Sequence, residues 1–215
     1  MTAYNVHIFD ALAREYDRWF DAHTYAYESE VLAVRSLLPQ GGKGLEVGVG
    51  TGRFASRLGI KVGVEPARAM AAIARDRDIE VYETTAEELP FTNGSFDFVF
   101  MVTAICFFSD PLRALRKGSR VLKPLGHIVV GMIDKDSPVG KSYEDRRSES
   151  VFYQYAHFYS VTQVIDWLIR SGFGAIKTRQ TIFKRPEEMT ALEPVKEGYG
   201  EGGFVVIAAQ KEAKT

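Results

Sequence analysis

Three glycines stand at alternate positions within residues 45–54, LEVGVGTGRF: Gly48, Gly50 and Gly52. Glycine has no Cβ, so such a run lets the backbone turn sharply and lets a ligand approach it closely. A helix that follows offers that ligand unpaired N–H groups and a partial positive charge. Dinucleotide sites use a similar turn, so the glycines by themselves do not choose a ligand. Two acids narrow the choice. Glu46 stands two residues before Gly48, where a carboxylate would repel a pyrophosphate and attract an ammonium group. Glu65 stands seventeen residues after Gly48, and an acid ending the next strand can accept both hydroxyls of a ribose. Together they describe a ligand with a ribose at one end and a cationic amine at the other.

S-adenosylmethionine answers that description, whereas NAD answers only its ribose half. To act together, these residues need strands that end at a common edge. The short apolar run 44–47 reads as a first strand, with others at 60–64, 80–82, 96–102 and 126–133. Nearly continuous apolar strands suit a parallel sheet covered on both faces. Helical segments fall between them, at 54–58, at 67–75 and from the Asp110-Pro111 cap to about residue 122. Alternating strands and helices predict a doubly wound α/β sheet. Ahead of the first strand, Phe9, Leu12, Ala13, Tyr16 and Phe20 share one helical face; Tyr27, Val31, Val34 and Leu38 share another. The expectation is about two N-terminal helices. Residues 134–159 are polar and aromatic with weak periodicity. A Ser160–Gln163 capping box opens a helix that Gly172 ends. Strands follow at 175–183 and 204–209, separated by a loop-like stretch, and the final KEAKT reads as a frayed tail.

Composition excludes several classes. Of the 215 residues, 46% are apolar and 26% charged, as in an ordinary globular domain. Lys plus Arg (27) balance Asp plus Glu (28), so no basic excess points to nucleic acid. No run approaches the ~18 apolar residues of a membrane span. The N-terminus has early acids and no continuous apolar segment, so it reads as no signal peptide, and the expected location is cytoplasmic. Cys106, the single cysteine, sits among apolar neighbours and reads as a packing residue. No His/Cys/Asp/Glu set has metal-site spacing, so no metal is expected.

The ordered string of motifs resembles the class I S-adenosylmethionine-dependent methyltransferases, especially the small-molecule branch called methyltransferase type 11. LEVGVGTGRFA resembles that family's first motif, GVEPARAM its second, AEELPF its third, SFDFVFMVTAICFFSDP its fourth and ALRKGSRVLKPLGHIVVG its fifth, together covering about residues 43–132. FDALAREYDRWF is similar to the helix such enzymes fold over the cofactor. The resemblance implies that Glu46 lies by the methionine amine, that Gly48 and Gly50 lie beneath the cofactor and that Glu65 takes the ribose hydroxyls. It implies that Pro66 and Met70 border the adenine and that Ala86 and Glu87 flank its other side through backbone amides. Thr103 would meet the methionine part, and Tyr16 would hydrogen-bond its carboxylate. One position departs: the family often has Asp before the third-motif Ala, and here it is Thr85. The fourth motif also lacks the NPPY-like sequence of enzymes that methylate nucleobase or amide nitrogen.

The resemblance implies a Rossmann-like, doubly wound, seven-stranded sheet, mostly parallel with the last strand antiparallel, in a single domain. Residues 1–40 would form a helical lid, 43–133 the cofactor-binding half, 134–159 a substrate-side insertion and 160–210 the C-terminal helix and strands. The expected reaction is in-line methyl transfer to a small-molecule acceptor. The sulfonium is already activated, so alignment and water exclusion suffice unless the nucleophile arrives protonated. The residues alone leave the catalytic group open. His157, amid the aromatics of 152–159, could act as a base. Tyr16 is the other candidate, although its apolar face equally suits a core tyrosine. Two other readings stay open on the residues: a nicotinamide-dependent oxidoreductase, and a non-catalytic module that binds S-adenosylmethionine or S-adenosylhomocysteine.

Overall fold

The computed structural model describes residues 3–213; Lys214 and Thr215 of the C-terminal tail lie outside them. Eight strands form one sheet in the order β3-β2-β1-β4-β5-β8-β6-β7. They are β1 (Gly44–Val47), β2 (Val62–Val64), β3 (Glu80–Tyr82), β4 (Phe96–Val102), β5 (Leu122–Ile133), β6 (Phe173–Thr181), β7 (Lys196–Glu197) and β8 (Phe204–Lys211). The first five pair in parallel. β8 runs antiparallel between β5 and β6, so the last strand has the expected direction. The sheet has one strand more than expected. β7 is a two-residue exposed edge paired with Arg179 and Gln180, too short to leave a period in the sequence.

Three helices precede β1 where two were expected: α1 (Ala3–Ala11), α2 (Ala13–Ala22) and α3 (Thr24–Leu37). The first apolar stripe runs across a one-residue break at Leu12 (φ −116°, ψ 22°). A single-residue kink leaves a 3.6-residue periodicity nearly intact, so the pattern cannot reveal it. α4 (Arg53–Leu58), α5 (Arg68–Arg75) and α6 (Pro111–Val121) complete the crossovers. The Asp110 side chain accepts the Arg113 N–H at the start of α6. Residues 134–159 contain a true helix, α7 (Pro138–Asp145), capped by Ser137, whose hydroxyl accepts the Gly140 N–H. The Ser-Pro start was present in the sequence, but the following residues lack a clean stripe. Ser160 likewise caps α8 (Val161–Arg170) through the Gln163 N–H.

The sheet separates two cores. Leu45, Val99, Met101, Ile128 and Val130 pack towards one face, with Leu115 of α6 and Leu168 of α8. Phe98, Phe100 and Val129 pack towards the other, with Tyr27, Val31 and Val34 of α3 and Phe54 of α4. α1, α2 and α7 lie at the carboxyl ends of the parallel strands, where open α/β sheets bind ligands. Among the described residues, no helix is long and apolar enough to cross a membrane.

Candidate cofactor and acceptor site

The glycine turn is fixed by its neighbours. Gly48 and Val49 N–H groups donate to the Val64 carbonyl at 2.9 and 3.0 Å, tying the turn to β2. Gly48, Gly50 and Gly52 have φ of 76°, 54° and 82°, the left-handed region that disfavours other residues. A Cβ on Gly48 would lie 2.6 Å from Ala104 Cβ, and one on Gly52 2.5 Å from Ile79 Cδ1. A Cβ on Gly50 would meet only Met70 and Tyr16, at 3.6 and 3.8 Å. The first and third glycines are therefore demanded by packing. The second keeps open a space bordered by Met70 and Tyr16.

Both expected acids reach this turn. Glu46 is buried on β1. Its carboxyl accepts the Ala55 N–H, while Oε2 has no hydrogen-bond partner. Burial holds this carboxyl well above its ordinary range, the Ala55 bond only partly offsets that, and the nearby Glu65 charge adds to it. A buried carboxyl oxygen without a donor is costly and suits an approaching ammonium. Glu65 is equally buried, and its oxygens accept the Gly50 N–H at 3.0 Å and the Ala67 N–H at 2.9 Å. Burial pushes it up to about 7 against those two bonds. A carboxylate has about four acceptor positions, so Glu65 braces the turn against α5 and keeps capacity for hydroxyls.

Met70 is buried and Pro66 half-buried beside Glu65. Ala86 lies in the core, and Thr85 is half-buried with its carbonyl accepting the Glu88 N–H. The Glu87 side chain accepts the Ser109 and Asp110 N–H groups at 2.8 and 3.2 Å; it staples the loop ahead of α6. Thr103 has φ 49°, an unusual conformation for a β-branched residue and one concentrated at functional sites. Its N–H donates to the Gly131 carbonyl, and its hydroxyl shares a hydrogen bond with Tyr16. Burial pushes the Tyr16 hydroxyl far up, so it stays neutral and can donate. His157 is placed elsewhere. It is exposed, its N–H donates to the Cys106 carbonyl, and it lines a separate depression with Arg147 and Tyr155. The Cys106 thiol is buried and pushed up to about 12, in keeping with packing.

Three features went unread in the sequence. Asp10 of α1 accepts the Ala69 N–H at 2.7 Å, holding α1 on the first turn of α5. Arg53, which opens α4, makes a two-pronged contact with Asp17 (Nε–Oδ1 and Nη2–Oδ2, both 2.8 Å) and another with Asp21. Arg77 joins Asp17 at 2.9 Å. Burial alone would raise the Asp17 carboxyl, but the bonds from Arg53 and Arg77 outweigh it and hold it well below the usual carboxylate range. These contacts clamp α2 to the glycine turn, and nothing in the spacing of Asp17, Arg53 and Arg77 announces them. The third feature is a cavity of about 90 Å³ on the far side of Tyr16 and Thr103, walled by Trp19, Phe152, Tyr143 and Tyr153 and reached by Glu30. Glu30 did leave a signal: it stands three residues after Tyr27 and four before Val34, inside the apolar stripe of α3.

Residues 45–130 match the methyltransferase-domain family. A crystal structure from Thermotoga maritima, described as a SAM-dependent methyltransferase and possible histamine N-methyltransferase, is 50% identical and superimposes with a TM-score of 0.94, covering 97% of this chain and 100% of that one. An uncharacterized protein of Methanocaldococcus jannaschii is 46% identical over 96% of this chain and its own whole length. The demethylmenaquinone methyltransferase of Chlorobaculum parvum is 36% identical over 46% of this chain and 45% of its own. The nicotinamide and non-catalytic alternatives fall away with these findings. The chain belongs to the S-adenosylmethionine-dependent methyltransferases of class I, in the type 11 branch.

Proposed function

We propose that this methyltransferase acts on a small-molecule acceptor seated in the cavity beyond Tyr16 and Thr103. The observation that carries the reading is the position of that cavity. It opens at the carboxyl ends of β4 and β5, lined by Thr103 and by Tyr16, whose ring also lies 3.8 Å from a Cβ built on Gly50 of the glycine turn. Its volume of about 90 Å³ is below that of a 150 Å³ cavity that admits benzene, so it suits one small reacting group. A neighbouring depression of about 180 Å³ shares Trp19, Tyr143, Ser150, Tyr153 and Pro186 with it and leads outward.

In this reading the cofactor supplies an activated methyl group on a sulfonium. The protein's own residues bind and orient. Glu46 Oε2 receives the methionine ammonium, and Glu65 uses its remaining acceptor positions for the ribose hydroxyls. Met70 and Pro66 border one side of the adenine, with backbone at Ala86 and Glu87 on the other. Tyr16 and Thr103 stand between the two compartments, where their hydroxyls can hold the methionine end. α1 and α2 serve as the lid, anchored by Asp10 and Asp17. Relatives whose names specify an acceptor differ in the atom methylated, so the wall of this cavity rather than the family sets the acceptor. A transfer assay over small amines, alcohols, thiols and carboxylates tests the reading. It predicts turnover with at least one small class, and methylation confined to protein or nucleic acid would contradict it.

A further inference from the structure

We infer that Glu30 is the acceptor-recognising carboxyl of this enzyme, and that the acceptor it selects is a small basic amine that enters as an ammonium. The inference rests on the small-molecule reading above and names its substrate class. Glu30 is 8% exposed, and the cavity is what it borders. It has no hydrogen-bond or ion-pair partner among the described residues. Burying an acid without a partner is unfavourable, so packing gives no reason for it, and Gln or Leu would fill α3 at less cost. Among the described residues lining the cavity, Glu30 is the only acid, and no Lys, Arg or His lines it. Aromatic side chains make up much of the remaining wall, among them Tyr16, Trp19, Tyr143 and Tyr153, with Ile133, Val139 and Ile182 beside them. Aromatic ring faces attract a cation and give nothing to an anion.

Other titratable groups around Glu30 do not compete for that role. Tyr16 on α2, Tyr143 on α7 and Tyr153 in the turn 153–155 each feel its charge, and burial pushes all three hydroxyls far up. Glu187, which acts on Tyr143, borders the outer depression instead. Burial pushes Glu30 itself up to about 8. In the empty cavity near neutral pH it is therefore protonated, and an entering ammonium displaces that proton to solvent. Before methyl transfer, one ammonium proton moves from nitrogen to a Glu30 oxygen. The electron pair left on nitrogen is the nucleophile that the established reaction needs. Glu30 ends as the neutral acid and the amine as the neutral base.

The test is calorimetric titration of the protein saturated with S-adenosylhomocysteine. The probes are phenethylamine, phenethyl alcohol and phenylacetate, run in buffers of different ionisation enthalpy between pH 6 and pH 9. We expect phenethylamine to bind at least about 30-fold tighter than the other two, as a charge-assisted contact implies. It should release close to one proton per amine below pH 8, and its affinity should rise about tenfold per pH unit there. Glu30→Gln, close in shape, should bind S-adenosylhomocysteine as the parent does while losing both the preference and the proton release. Equal binding of the alcohol or the acid, or an unchanged proton count in Glu30→Gln, overturns the amine assignment and leaves the small-molecule reading standing. Entry of none of the three overturns the amine assignment, and the acceptor assay above then decides the small-molecule reading separately. Should Glu30→Gln fail to fold, the proton count of the parent protein decides by itself.

Discussion

Glu46 and Glu30 are two buried carboxyls, proposed to serve the cofactor and the acceptor respectively, and they are buried by different routes. Glu46 sits on a strand, two residues from the glycine turn, with Ala55 N–H on one oxygen and the other free. Its own turn lies within about ten residues of chain, and its distant neighbours are the adjacent strands β2 and β4 and Glu65. Glu30 sits on a helix, and its surroundings come from α2, α7, the turn 153–155 and the β6–β8 region. Its neighbours are ring faces rather than backbone amides. On the proposed reading, the cofactor wall is built from the backbone of one turn, while the acceptor wall is built from side chains of distant segments. A fold can keep the first wall and change the second, which fits relatives that share the methyltransferase domain and differ in named acceptor.

Substitutions on the two walls should separate accordingly. The largest effect is expected at Glu30. Its carboxyl goes from an ordinary 4.5 to about 8 on folding, so folding favours its protonated form. The native state therefore loses stability as pH rises from about 4.5 through about 8. Glu30→Gln removes that loss. Chemical denaturation should show the variant gaining about 3–5 kcal/mol relative to the parent between pH 5 and pH 9. A parallel pair of curves would mean that Glu30 is not isolated. On the other wall, Gly48→Ala forces a Cβ to within 2.6 Å of Ala104 at φ 76°. It should cost about 3 kcal/mol of stability and weaken S-adenosylhomocysteine by distorting the turn, both measurable by denaturation with and without ligand.

Two smaller effects sharpen the contrast. Glu46→Gln keeps the shape and removes the charge proposed to face the cofactor's ammonium. It should weaken S-adenosylmethionine by about 1.5–3 kcal/mol in a titration, with little effect on the amine preference of the other wall. Asp17→Asn loosens the Arg53 and Arg77 clamp. Because that network is partly exposed, the loss in cofactor affinity should be about 1 kcal/mol. It should come mainly as faster release in stopped-flow chase experiments, since the clamp holds α2 over the turn. A variant that weakens binding without faster release would separate the clamp from the lid.

The glycine turn and its two acids were legible because their determinants are local. Gly48, Gly50, Gly52, Glu46 and Glu65 are fixed by where two adjacent strands end, and strand ends show as breaks in apolar runs. The Asp110 and Ser160 caps were legible for the same reason. The break at Leu12 was not, because the apolar stripe continues through it. β7 was not, because two residues carry no period. The left-handed backbone at Thr103 has no glycine to mark it, and the Asp17–Arg53–Arg77 cluster joins residues 36 and 60 positions apart. Glu30 was half legible: a charge inside the stripe of Tyr27, Val31 and Val34 marks a position at odds with burial, but the sequence cannot say what stands opposite. His157 shows the converse, since aromatic neighbours suggested enclosure and the folded chain leaves it exposed.

Where the methyl group goes is the most direct measurement of the proposed function. Protein incubated with S-adenosylmethionine labelled in its methyl group and a mixture of small amines, alcohols and carboxylates, together with bulk protein and RNA, should place the label in the small-molecule fraction, on an amine nitrogen. Glu30→Gln should reduce that labelling while still binding the cofactor. Label found only in protein or RNA, with none in any small molecule, would contradict the account.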